Sequence, residues 1–374
     1  MARLGDVATY INGFAFKPSD WSDEGLPIIR IQDLTGNAYQ ANRYSGEYQK
    51  KYEVNEGDVL ISWSASLGVY VWRGEKAVLN QHIFKVVFDK AEVDKSFFVH
   101  QVQNILENPA TEAHGATMKH LTKPVFDALP FYLPNMEKQR EIAAVLDQVS
   151  NLIALRQEQL AKLDELVKAR FVEMFGTYPA NPMGWETGTI RDIVTDVRYG
   201  SSRPAVDGGR YSYLRMNNIT YSGELDLTDT KRIDVPENEL DKCTVRRGDV
   251  LFNRTNSKEL VGKTCVYNRD EMMVLAGFVI RVRVNNRVLP EFLSAFLNTD
   301  FSKQMLLGMC KAAIGQANIN AQEMQNIGLY LPPVELQREF VKFKEETDKS
   351  KLTIQKSLDK LEVMKKALMQ EYFG

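Results

Sequence analysis

The chain has 374 residues, of which 44% are hydrophobic and 26% are charged, and its formal net charge is −2. This composition predicts two or three soluble globular domains. The small net charge argues against a protein that holds nucleic acid by a global basic field alone. Three widely spaced cysteines and the lack of a signal sequence or a membrane-length apolar run predict a cytoplasmic protein without membrane contact.

The first half begins with strand patterns. Alternating apolar residues predict a strand over 28–34, and Gly57-Asp58 predicts a turn that leads into a second strand ending near residue 61. A third strand is predicted over 82–88, followed by a short helix over 96–104. These elements indicate a mixed α+β lobe with several strands and few helices.

A long helix follows Pro134, with Asn135 as its predicted N-cap and Gly176 as its predicted stop. Its apolar residues recur in steps of three and four and form a heptad seam, interrupted by Arg156 and Arg170. The seam residues are Ile142, Leu146, Val149, Ile153, Leu160, Leu163, Val167 and Met174.

The second half repeats this order, with strands predicted over 213–219, 247–252 and 278–284 and a short helix over 290–298. A second long helix follows Pro332-Pro333. Polar residues occupy part of its seam, which reads Phe340, Lys344, Thr347, Lys351, Ile354, Leu358, Leu361, Leu368 and Tyr372.

The register between the halves is constant. Gln139-Arg140-Glu141 and Gln337-Arg338-Glu339 are 198 residues apart, as are the Phe-Gly pairs that end at Gly176 and Gly374. This spacing predicts a duplicated domain plus helix that engages two targets at a fixed separation. Each long helix offers its seam to the other; alternatively, each packs only on its own lobe.

Catalytic signatures are missing from the sequence. It has no phosphate-binding loop, no dinucleotide motif, no adenine-methyltransferase motif, and no C-x-x-C or H-E-x-x-H. The four histidines, His82, His100, His114 and His120, lack metal-ligand spacing. We therefore expect no catalytic residue, metal or cofactor in this chain.

Polar clusters follow the strands, and the two halves differ most at these places. Asn and Gln pair well with adenine, Arg with guanine, and Ser or Thr with several base edges. The candidate DNA-binding residues of the first half are Arg30, Gln32, Trp63, Ser64, Ser66, Asn80, Gln81, Lys119, His120 and Lys123. Those of the second half are Arg215, Asn217, Asn218, Arg254, Thr255, Asn256, Ser257, Lys258, Gln316, Asn318 and Asn320.

A structural role is the alternative for each of these residues. Polar side chains cap strand ends, Trp63 and Trp72 can fill a core or its rim, and Arg30 and Arg215 can satisfy a buried polar site in both lobes.

The chain resembles the specificity subunits of type I restriction–modification enzymes. The resemblance rests on Leu4-Gly5-Asp6-Val7, the two Gly-Asp-Val-Leu strands, the Leu-Pro…Gln-Arg-Glu helix entries and the Phe-Gly ends, and it covers essentially the whole chain. At the start of the second copy, Thr189-Ile190-Arg191-Asp192-Ile193 departs from the first.

This resemblance implies an α+β fold with pseudo-twofold symmetry. Two mixed α/β target recognition domains would be separated by two long antiparallel helices that form a coiled-coil spacer. The expected boundaries are 1–135 for the first recognition domain, 136–176 for the central helix, 177–332 for the second recognition domain and 333–374 for the distal helix.

The same resemblance implies a non-catalytic subunit that reads a bipartite target in double-stranded DNA. Two modification (methyltransferase) subunits would dock on it, together with restriction (translocase and nuclease) subunits. S-adenosylmethionine, Mg and ATP would then be bound by those subunits only.

Two other classes of function stay open. A stand-alone duplicated DNA-binding or adaptor protein would bind tightly without other subunits. An enzyme with an unrecognised site, such as a nuclease built on scattered carboxylates, would cleave its substrate as an isolated chain.

Overall fold

The computed structural model describes residues 1–36, 42–107, 122–310 and 317–374. The chain divides into two compact units: unit 1 contains residues 1–156 and 357–374, and unit 2 contains residues 157–356. Each unit therefore holds one β-rich lobe with one segment of each long helix. Over the described residues, every helix is too short or too polar to span a lipid bilayer.

Unit 1 contains short strands and few helices. Its strands are β1 (Ala2–Arg3), β2 (Thr9–Asn12), β3 (Leu26–Ile29), β4 (Arg43–Tyr44), β5 (Glu53–Val54), β6 (Val59–Ser62), β7 (Gly68–Val71), β8 (Ala77–Leu79), β9 (Ile83–Val87) and β10 (Pro130–Phe131). Its α-helices are α1 (Leu4–Val7), α2 (Ile31–Leu34), α3 (Lys95–Glu107), α4 (Lys123–Ala128) and the first part of α5 (Met136–Phe175). Single 3-10 turns occur at Pro18–Asp20 and Lys50–Tyr52.

Unit 2 repeats this pattern with additional helices. Its strands are β11 (Glu186–Thr189), β12 (Val194–Tyr199), β13 (Tyr211–Leu214), β14 (Lys231–Ile233), β15 (Thr244–Val245), β16 (Val250–Asn253), β17 (Thr255–Asn256), β18 (Thr264–Val266), β19 (Met273–Leu275), β20 (Val279–Val284), β21 (Ala317–Asn318) and β22 (Gly328–Leu331). Its α-helices are α6 (Glu237–Cys243), α7 (Pro290–Leu297), α8 (Asp300–Met309), α9 (Ala321–Gln325) and α10 (Val334–Phe373), which ends in unit 1. The 3-10 turns are Ile190–Ile193 and Met216–Asn218.

The sheets of the two units have the same strand order. A four-stranded sheet is ordered β2-β9-β6-β7 in unit 1 and β12-β20-β16-β18 in unit 2. A second sheet is ordered β4-β3-β8-β5 and β14-β13-β19-β15, with β3 parallel to β8 and β13 parallel to β19. The predicted duplication of a mixed α+β lobe is thereby confirmed at the level of topology.

The repeated Gly-Asp pair forms the turn that the sequence predicts. Gly57 and Gly248 have φ values of 85° and 88°, a region that favours glycine. Asp58 accepts a hydrogen bond from the backbone N–H of Asn55 (2.8 Å), and Asp249 accepts one from Arg246 (2.9 Å). Each carboxylate thus closes the turn that starts β6 or β16.

The prediction of one continuous strand over 28–34, and of its counterpart over 213–219, is wrong. In both units the strand ends before an arginine, and a helical turn follows. The backbone N–H of Arg30 donates to Asp33 (2.7 Å), and that of Arg215 donates to Asn218 (2.9 Å). These side-chain acceptors stabilise a helical turn against the alternating apolar pattern, so Gln32 lies on a helical turn.

Helices α6, α8 and α9 of unit 2 were not predicted from the sequence. The divergent start of the second copy nevertheless keeps the local geometry of the first. The backbone N–H of Arg3 donates to Asp6 (3.1 Å), and that of Thr189 donates to Asp192 (2.7 Å). One acidic side chain in each copy therefore suffices to hold this turn.

The seams of the long helices are buried in part: Ile142, Leu146 and Val149 of α5 and Phe340 and Leu358 of α10 are buried, whereas most other seam residues are half-buried. In unit 1, Ile142 and Leu146 of α5 share a core with Met369 of α10 and with lobe residues such as Phe97. In unit 2, the rings of Phe171 on α5 and Phe340 on α10 lie 5.2 Å apart. The helices therefore pack on each other and on both lobes, since Phe373 of α10 contacts Phe97 of the first lobe and Phe171 of α5 contacts Phe292 of the second (both 5.5 Å). The alternative in which each helix packs only on its own lobe is wrong.

Within unit 2, α5 and α10 run antiparallel. Asp164 of α5 accepts a hydrogen bond from Lys351 of α10 at 2.6 Å, and seven residues later on α5 the contact has moved back to Phe340. Lys351 also pairs with Glu224 of the lobe. This cation occupies a polar position of the α10 seam, where it joins both helices to the lobe.

The predicted ends of α5 are confirmed. Asn135 accepts a hydrogen bond from the backbone N–H of Lys138 (2.9 Å). Gly176 has a φ of 81°, and its N–H donates to the carbonyl of Val172 (2.8 Å).

The glutamine of each Gln-Arg-Glu motif is buried and uses its whole amide group. In unit 1, Gln139 is 1% exposed. Its Oε1 accepts from Asp94 N (2.9 Å), and its Nε2 donates to the carbonyls of Pro134 (2.8 Å) and Glu92 (3.3 Å). The side chain therefore ties the start of α5 to the segment that leads into α3.

The second copy makes the same contacts. Gln337 is 0% exposed. Its Oε1 accepts from Leu289 N (2.8 Å), and its Nε2 donates to the carbonyls of Pro332 (2.8 Å) and Arg287 (3.0 Å). We call these two sets of bonds, around Gln139 and Gln337, the glutamine latches.

Removal of a glutamine latch should destabilise its unit. Gln337→Ala removes the acceptor of the Leu289 N–H and the donor to the carbonyls of Pro332 and Arg287, so we expect a loss of about 2 kcal/mol in the free energy of unfolding. Urea unfolding followed by circular dichroism measures this loss. The control is Arg338→Ala, because Arg338 is 66% exposed and lies 3.7 Å from Glu335; it should change stability by less than about 0.5 kcal/mol. Equal effects of the two substitutions would contradict the role of the latch.

Candidate nucleic-acid interface

In unit 1, one end of the β2-β9-β6-β7 sheet lies away from the glutamine latch. Helix α3 begins at the latch, and there Lys95 Nζ donates to the carbonyl of Gly57 at the start of β6 (2.7 Å). Near the other end of α3, Gln103 Oε1 accepts from Val69 N (3.3 Å) on β7. Because β6 runs from the Gly57 turn to Ser62, the residues after Ser62 lie at the far end of the sheet.

Unit 2 has the same arrangement. Leu289, which bonds to the latch, immediately precedes α7, and Asn298 follows that helix. Asn298 Nδ2 donates to the carbonyl of Thr264 (2.7 Å), and Thr264 pairs with Phe252 near the end of β16. The residues after Asn253 therefore lie at the end of the sheet away from the latch. We call these two sites the free sheet ends.

Three side chains meet at the free sheet end of unit 1. Trp63 Nε1 donates to Asn12 Oδ1 (3.2 Å), and the Trp63 ring lies 5.4 Å from the ring of His82. The backbone N–H of Trp63 also donates to the His82 carbonyl (3.4 Å). His82 Nδ1 is buried and has no hydrogen-bond partner among the described residues.

The corresponding three side chains of unit 2 are Tyr199, Arg254 and Phe278. The Arg254 guanidinium lies 4.9 Å from the Tyr199 ring, a cation–π contact. The Arg254 N–H donates to the Phe278 carbonyl (3.0 Å), as that of Trp63 does to His82. Tyr199 is 44% exposed and Phe278 is 54% exposed. This end presents a cation that lies over one aromatic ring, with a second exposed aromatic residue joined to it through the backbone.

Two glycines allow the backbone to pass closely at this place. A Cβ on Gly13 would lie 2.1 Å from the carbonyl oxygen of Asn80, and one on Gly200 would lie 2.2 Å from that of Leu275. Such distances are not compatible with any side chain, so glycine is required in both units. Gly13 follows Asn12 and Gly200 follows Tyr199, so each glycine fixes one member of the free sheet end.

Of the residues predicted in unit 1, several lie at this end. Asn80 precedes Gln81, whose Nε2 lies 3.2 Å from His82 Nε2. Ser64 is 7% exposed, and its carbonyl accepts from the Ser62 hydroxyl (3.2 Å), whereas Ser66 is exposed.

Other predicted residues of unit 1 have partners within the lobe. Arg30 lies 3.7 Å from Asp33 and 5.7 Å from the Trp21 ring, and Gln32 is half-buried on α2. Lys123 is paired with Asp127 on its own helix (2.8 Å). Lys119 and His120 lie outside the described residues.

In unit 2 the structure brings four predicted residues together. Thr255 and Asn256 form β17, which pairs with β21, and Thr255 Oγ1 donates to Asn318 Oδ1 (3.1 Å). The carbonyl of Arg254 accepts from Ile319 N (2.9 Å) on the same connection. Ser257 and the exposed Lys258 follow on the loop after β17.

The remaining predicted residues of unit 2 serve local structure to different degrees. Asn218 is 2% exposed and donates to the carbonyls of Asp226 (2.8 Å) and Asp229 (3.0 Å). Arg215 pairs with Asp229 (2.8 Å), Asn217 is exposed, and Asn320 caps α9 through the Gln322 N–H (2.9 Å). Gln316 lies outside the described residues. For these and for all the residues above, contact with DNA stays a prediction.

The buried Lys263 and the half-buried Lys303 donate to backbone carbonyls of unit 2. Lys263 Nζ donates to the carbonyl of Met216 (2.9 Å), and Lys303 Nζ donates to that of Gly262 (3.3 Å). Burial lowers the pKa of Lys303 to about 8. Lys303 also lies 5.1 Å from the ring of Tyr221.

In the described ranges, no group of three or more His, Cys, Asp or Glu side chains could hold a metal ion.

The sequence pattern did not indicate Asn12, His82, Tyr199 or Phe278 as candidate DNA-binding residues. The signal that marks Asn12 and Tyr199 is the glycine that follows each at a strand end. Phe278 stands in the third predicted strand, at the position that corresponds to His82, but an exposed aromatic cannot be told from a core residue by type alone.

Closing the gap beside Gly200 should disturb the free sheet end of unit 2. Gly200→Ala places a Cβ 2.2 Å from a backbone oxygen, so we expect a destabilisation of about 1–3 kcal/mol. Urea unfolding measures it. The control is Gly308→Ala in α8, where a Cβ meets nothing within 4 Å and alanine favours the helix. If Gly200→Ala were as stable as the control, the close approach would not be a constraint.

Comparison with known proteins gives one family. Residues 1–165 and 182–363 match the family described as type I restriction modification DNA specificity domain. The EcoBI specificity subunit of Escherichia coli is 24% identical over an alignment that covers 91% of this chain and 77% of that protein. For the EcoKI specificity subunit of Escherichia coli strain K12, the identity is 23% and the coverages are 96% and 84%.

Solved structures share the fold. The crystal structure of a type I restriction–modification S subunit from M. genitalium aligns over 100% of this chain and 95% of that chain, with a TM-score of 0.54 and 16% identity. The family match covers both halves of the chain. The chain therefore belongs to the type I restriction–modification DNA specificity family and is a non-catalytic specificity subunit.

Proposed function

We propose that each unit reads one half of a bipartite double-stranded DNA target with its free sheet end. The observation that carries this proposal is the duplicated frame: identical strand order and glutamine latches present two different sets of side chains at the same place. A subunit that reads two unlike half-sites needs this combination of one frame and two surfaces.

The chemistry of the free sheet ends suits base edges. Unit 1 offers amide groups of Asn80 and Gln81 and the imidazole of His82, and unit 2 offers the guanidinium of Arg254 and the amides of Asn256 and Asn318. Amides match adenine and guanidinium matches guanine in the major groove. Lys258, on the adjoining loop, is suited to a phosphate contact that positions the lobe.

We propose that α5 and α10 set the number of base pairs between the half-sites. A helix of 40 residues is about 60 Å long. At ~3.4 Å per base pair this length is an upper bound of about 18 base pairs on the spacing.

We retain the boundaries 1–135, 136–176, 177–332 and 333–374 for the recognition domains and helices as part of this proposal.

The subunit would act within a larger enzyme. We propose that two modification subunits dock on it, together with restriction subunits, and that these carry S-adenosylmethionine, Mg and ATP. One solved structure that aligns with this chain at a TM-score of 0.54 concerns the complex assembly and conformational transition of the type I R-M system. Since DNA is the target, we place the complex in the cytoplasm with the DNA.

The proposal is tested by sequencing genome-wide adenine methylation in cells that express this chain with its neighbouring modification subunit. We expect a split motif that is absent from cells lacking the chain. Unchanged methylation, with tight binding of DNA or protein by the isolated chain, would instead support a stand-alone binding protein.

Lengthening both helices should lengthen the spacer. A heptad inserted after Arg156 in α5, with another after Lys356 in α10, adds about 10 Å while keeping the seam in phase. We expect the methylated motif to gain roughly three base pairs between unchanged half-sites. The control is a seven-residue insertion after Gly208, where a Cβ meets nothing within 4 Å. An unchanged spacer in the lengthened variant would show that the helices do not set the spacing between the half-sites.

A further inference from the structure

We propose that three equivalent positions at each free sheet end set a base preference in that half-site, and that Arg254 of unit 2 selects a guanine. This inference rests on the proposed function, which it makes specific. The positions are occupied by Asn12, Trp63 and His82 in unit 1 and by Tyr199, Arg254 and Phe278 in unit 2.

The equivalence of the first position follows from the strand register. Asn12 is the last residue of β2 and pairs with Phe84 of β9, which also pairs with Ile61 of β6. Tyr199 is the last residue of β12 and pairs with Ile280 of β20, which also pairs with Phe252 of β16. The two residues therefore occupy the same place in the sheet.

The second and third positions are linked by one backbone hydrogen bond. It runs from Trp63 N to the His82 carbonyl in unit 1 (3.4 Å) and from Arg254 N to the Phe278 carbonyl in unit 2 (3.0 Å). Next to them, Asn80 N donates to the Ile29 carbonyl (3.1 Å), as Ala276 N does to that of Leu214 (2.9 Å). The backbone of this end is thus the same in both units.

The side chains at the three positions differ in every case, although the frame around them is kept. Gly13 and Gly200 match, as do Leu79 and Leu275, which are both buried. A position needed only to hold the frame would keep its chemistry between the copies. Amide, indole and imidazole in one copy against phenol, guanidinium and phenyl in the other indicate that these positions meet different ligands.

Arg254 is oriented but has donors to spare. The Tyr199 ring lies 4.9 Å from its guanidinium, and Nη1 makes a single long bond to the Gly277 carbonyl (3.4 Å). Its Nε is buried without an acceptor among the described residues. By contrast, Arg203 and Arg247 of the same unit pair with Glu239 and Asp270 (2.8 and 2.7 Å). No carboxylate of the described residues pairs with Arg254 in this way.

An arginine in this state is suited to guanine. The guanidinium presents parallel donors that match the O6 and N7 acceptors of guanine, whereas the other bases lack that pair. Stacking on Tyr199 fixes the plane of the group before binding, which lowers the entropy lost when the bonds form. Trp63, at the same position in unit 1, has one N–H, and it already donates to Asn12. We therefore assign guanine selection to unit 2.

The test uses methylation motifs from cells that express the modification subunit with Arg254→Gln, Arg254→Lys or unaltered chain. With the unaltered chain, the half-site read by unit 2 should contain a guanine. Arg254→Gln should lower the preference for guanine at that one position by about tenfold to a hundredfold, the range expected for a bidentate pair. Arg254→Lys keeps the charge without the planar fork and should retain part of the preference. The half-site read by unit 1 should not change.

The matched control is Arg247→Gln, which removes an exposed cation beside the Gly248 turn, at the other end of β16. Its motif should equal that of the unaltered chain. An unchanged motif with Arg254→Gln, no guanine in that half-site, or an equal loss at all positions would overturn the inference. If Arg254→Gln abolishes methylation, competition binding by the purified complex replaces the methylation readout, with duplexes that differ at one target position each. We expect the variant complex to lose its preference for the guanine duplex at one position only. An equal loss of affinity for all duplexes would overturn the inference.

The two proposals fail in different ways. If no split motif depends on the unaltered chain, the proposed function fails and this inference fails with it. If the split motif is present but does not respond at one position to Arg254→Gln, the function stands and only the assignment of Arg254 is wrong.

Discussion

The two glutamine latches are the constraint on which the arrangement of each unit depends. Burial of an amide group lowers the stability of a fold unless the group forms its hydrogen bonds. The side chains of Gln139 and Gln337 each form three hydrogen bonds. Because those bonds join the start of a long helix to the segment before a lobe helix, the direction of the lobe relative to that helix is set at this point. A shorter or differently shaped side chain could not reach both an N–H and two carbonyls.

From the latch, the frame extends to the free sheet end through a short series of contacts. Helix α3 or α7 runs along the sheet from the latch, and polar bonds at its far end, such as Asn298 to the Thr264 carbonyl (2.7 Å), fix the strands beneath it. Gly13 and Gly200 then let the first strand pass over the chain that carries His82 or Phe278. The positions of the candidate DNA-contacting side chains are thus determined by rigid elements.

The sequence predicted the parts of the fold that repeat with a chemical cause. The Gly-Asp turns were recognisable because glycine at positive φ and an acidic cap leave a visible pair, and the long helices because their seams keep a heptad period. The strand over 28–34 was overestimated because the apolar Ile29 and Ile31 alternate with the polar Arg30 and Gln32, which is a strand pattern. Asp33 accepts a hydrogen bond from the backbone N–H of Arg30, three residues earlier, and so stabilises a helical turn instead. Pattern reasoning gave local capping too little weight.

The candidate site was only partly predictable for a different reason. Arg254, Asn80 and Gln81 could be named because they are polar residues just after strands. Tyr199 and Phe278 could not, since aromatic residues at strand ends are common in cores, and only the three-dimensional contact with Arg254 (4.9 Å to Tyr199) shows the surface they form. Asn218 shows the converse: a polar residue in a suitable place that is almost fully buried by its own lobe.

The chemistry of the latch also explains how the two lobes can diverge so far on one pair of helices. Beyond the glutamine itself, every group in the latch belongs to the backbone: the N–H of Asp94 or Leu289 and the carbonyls on either side. Backbone groups are the same whatever side chains a lobe carries. The attachment therefore places few demands on lobe sequence, and the side chains at the free sheet end can change without disturbing it. A subunit built in this way can vary what it reads while it keeps how its lobes are held.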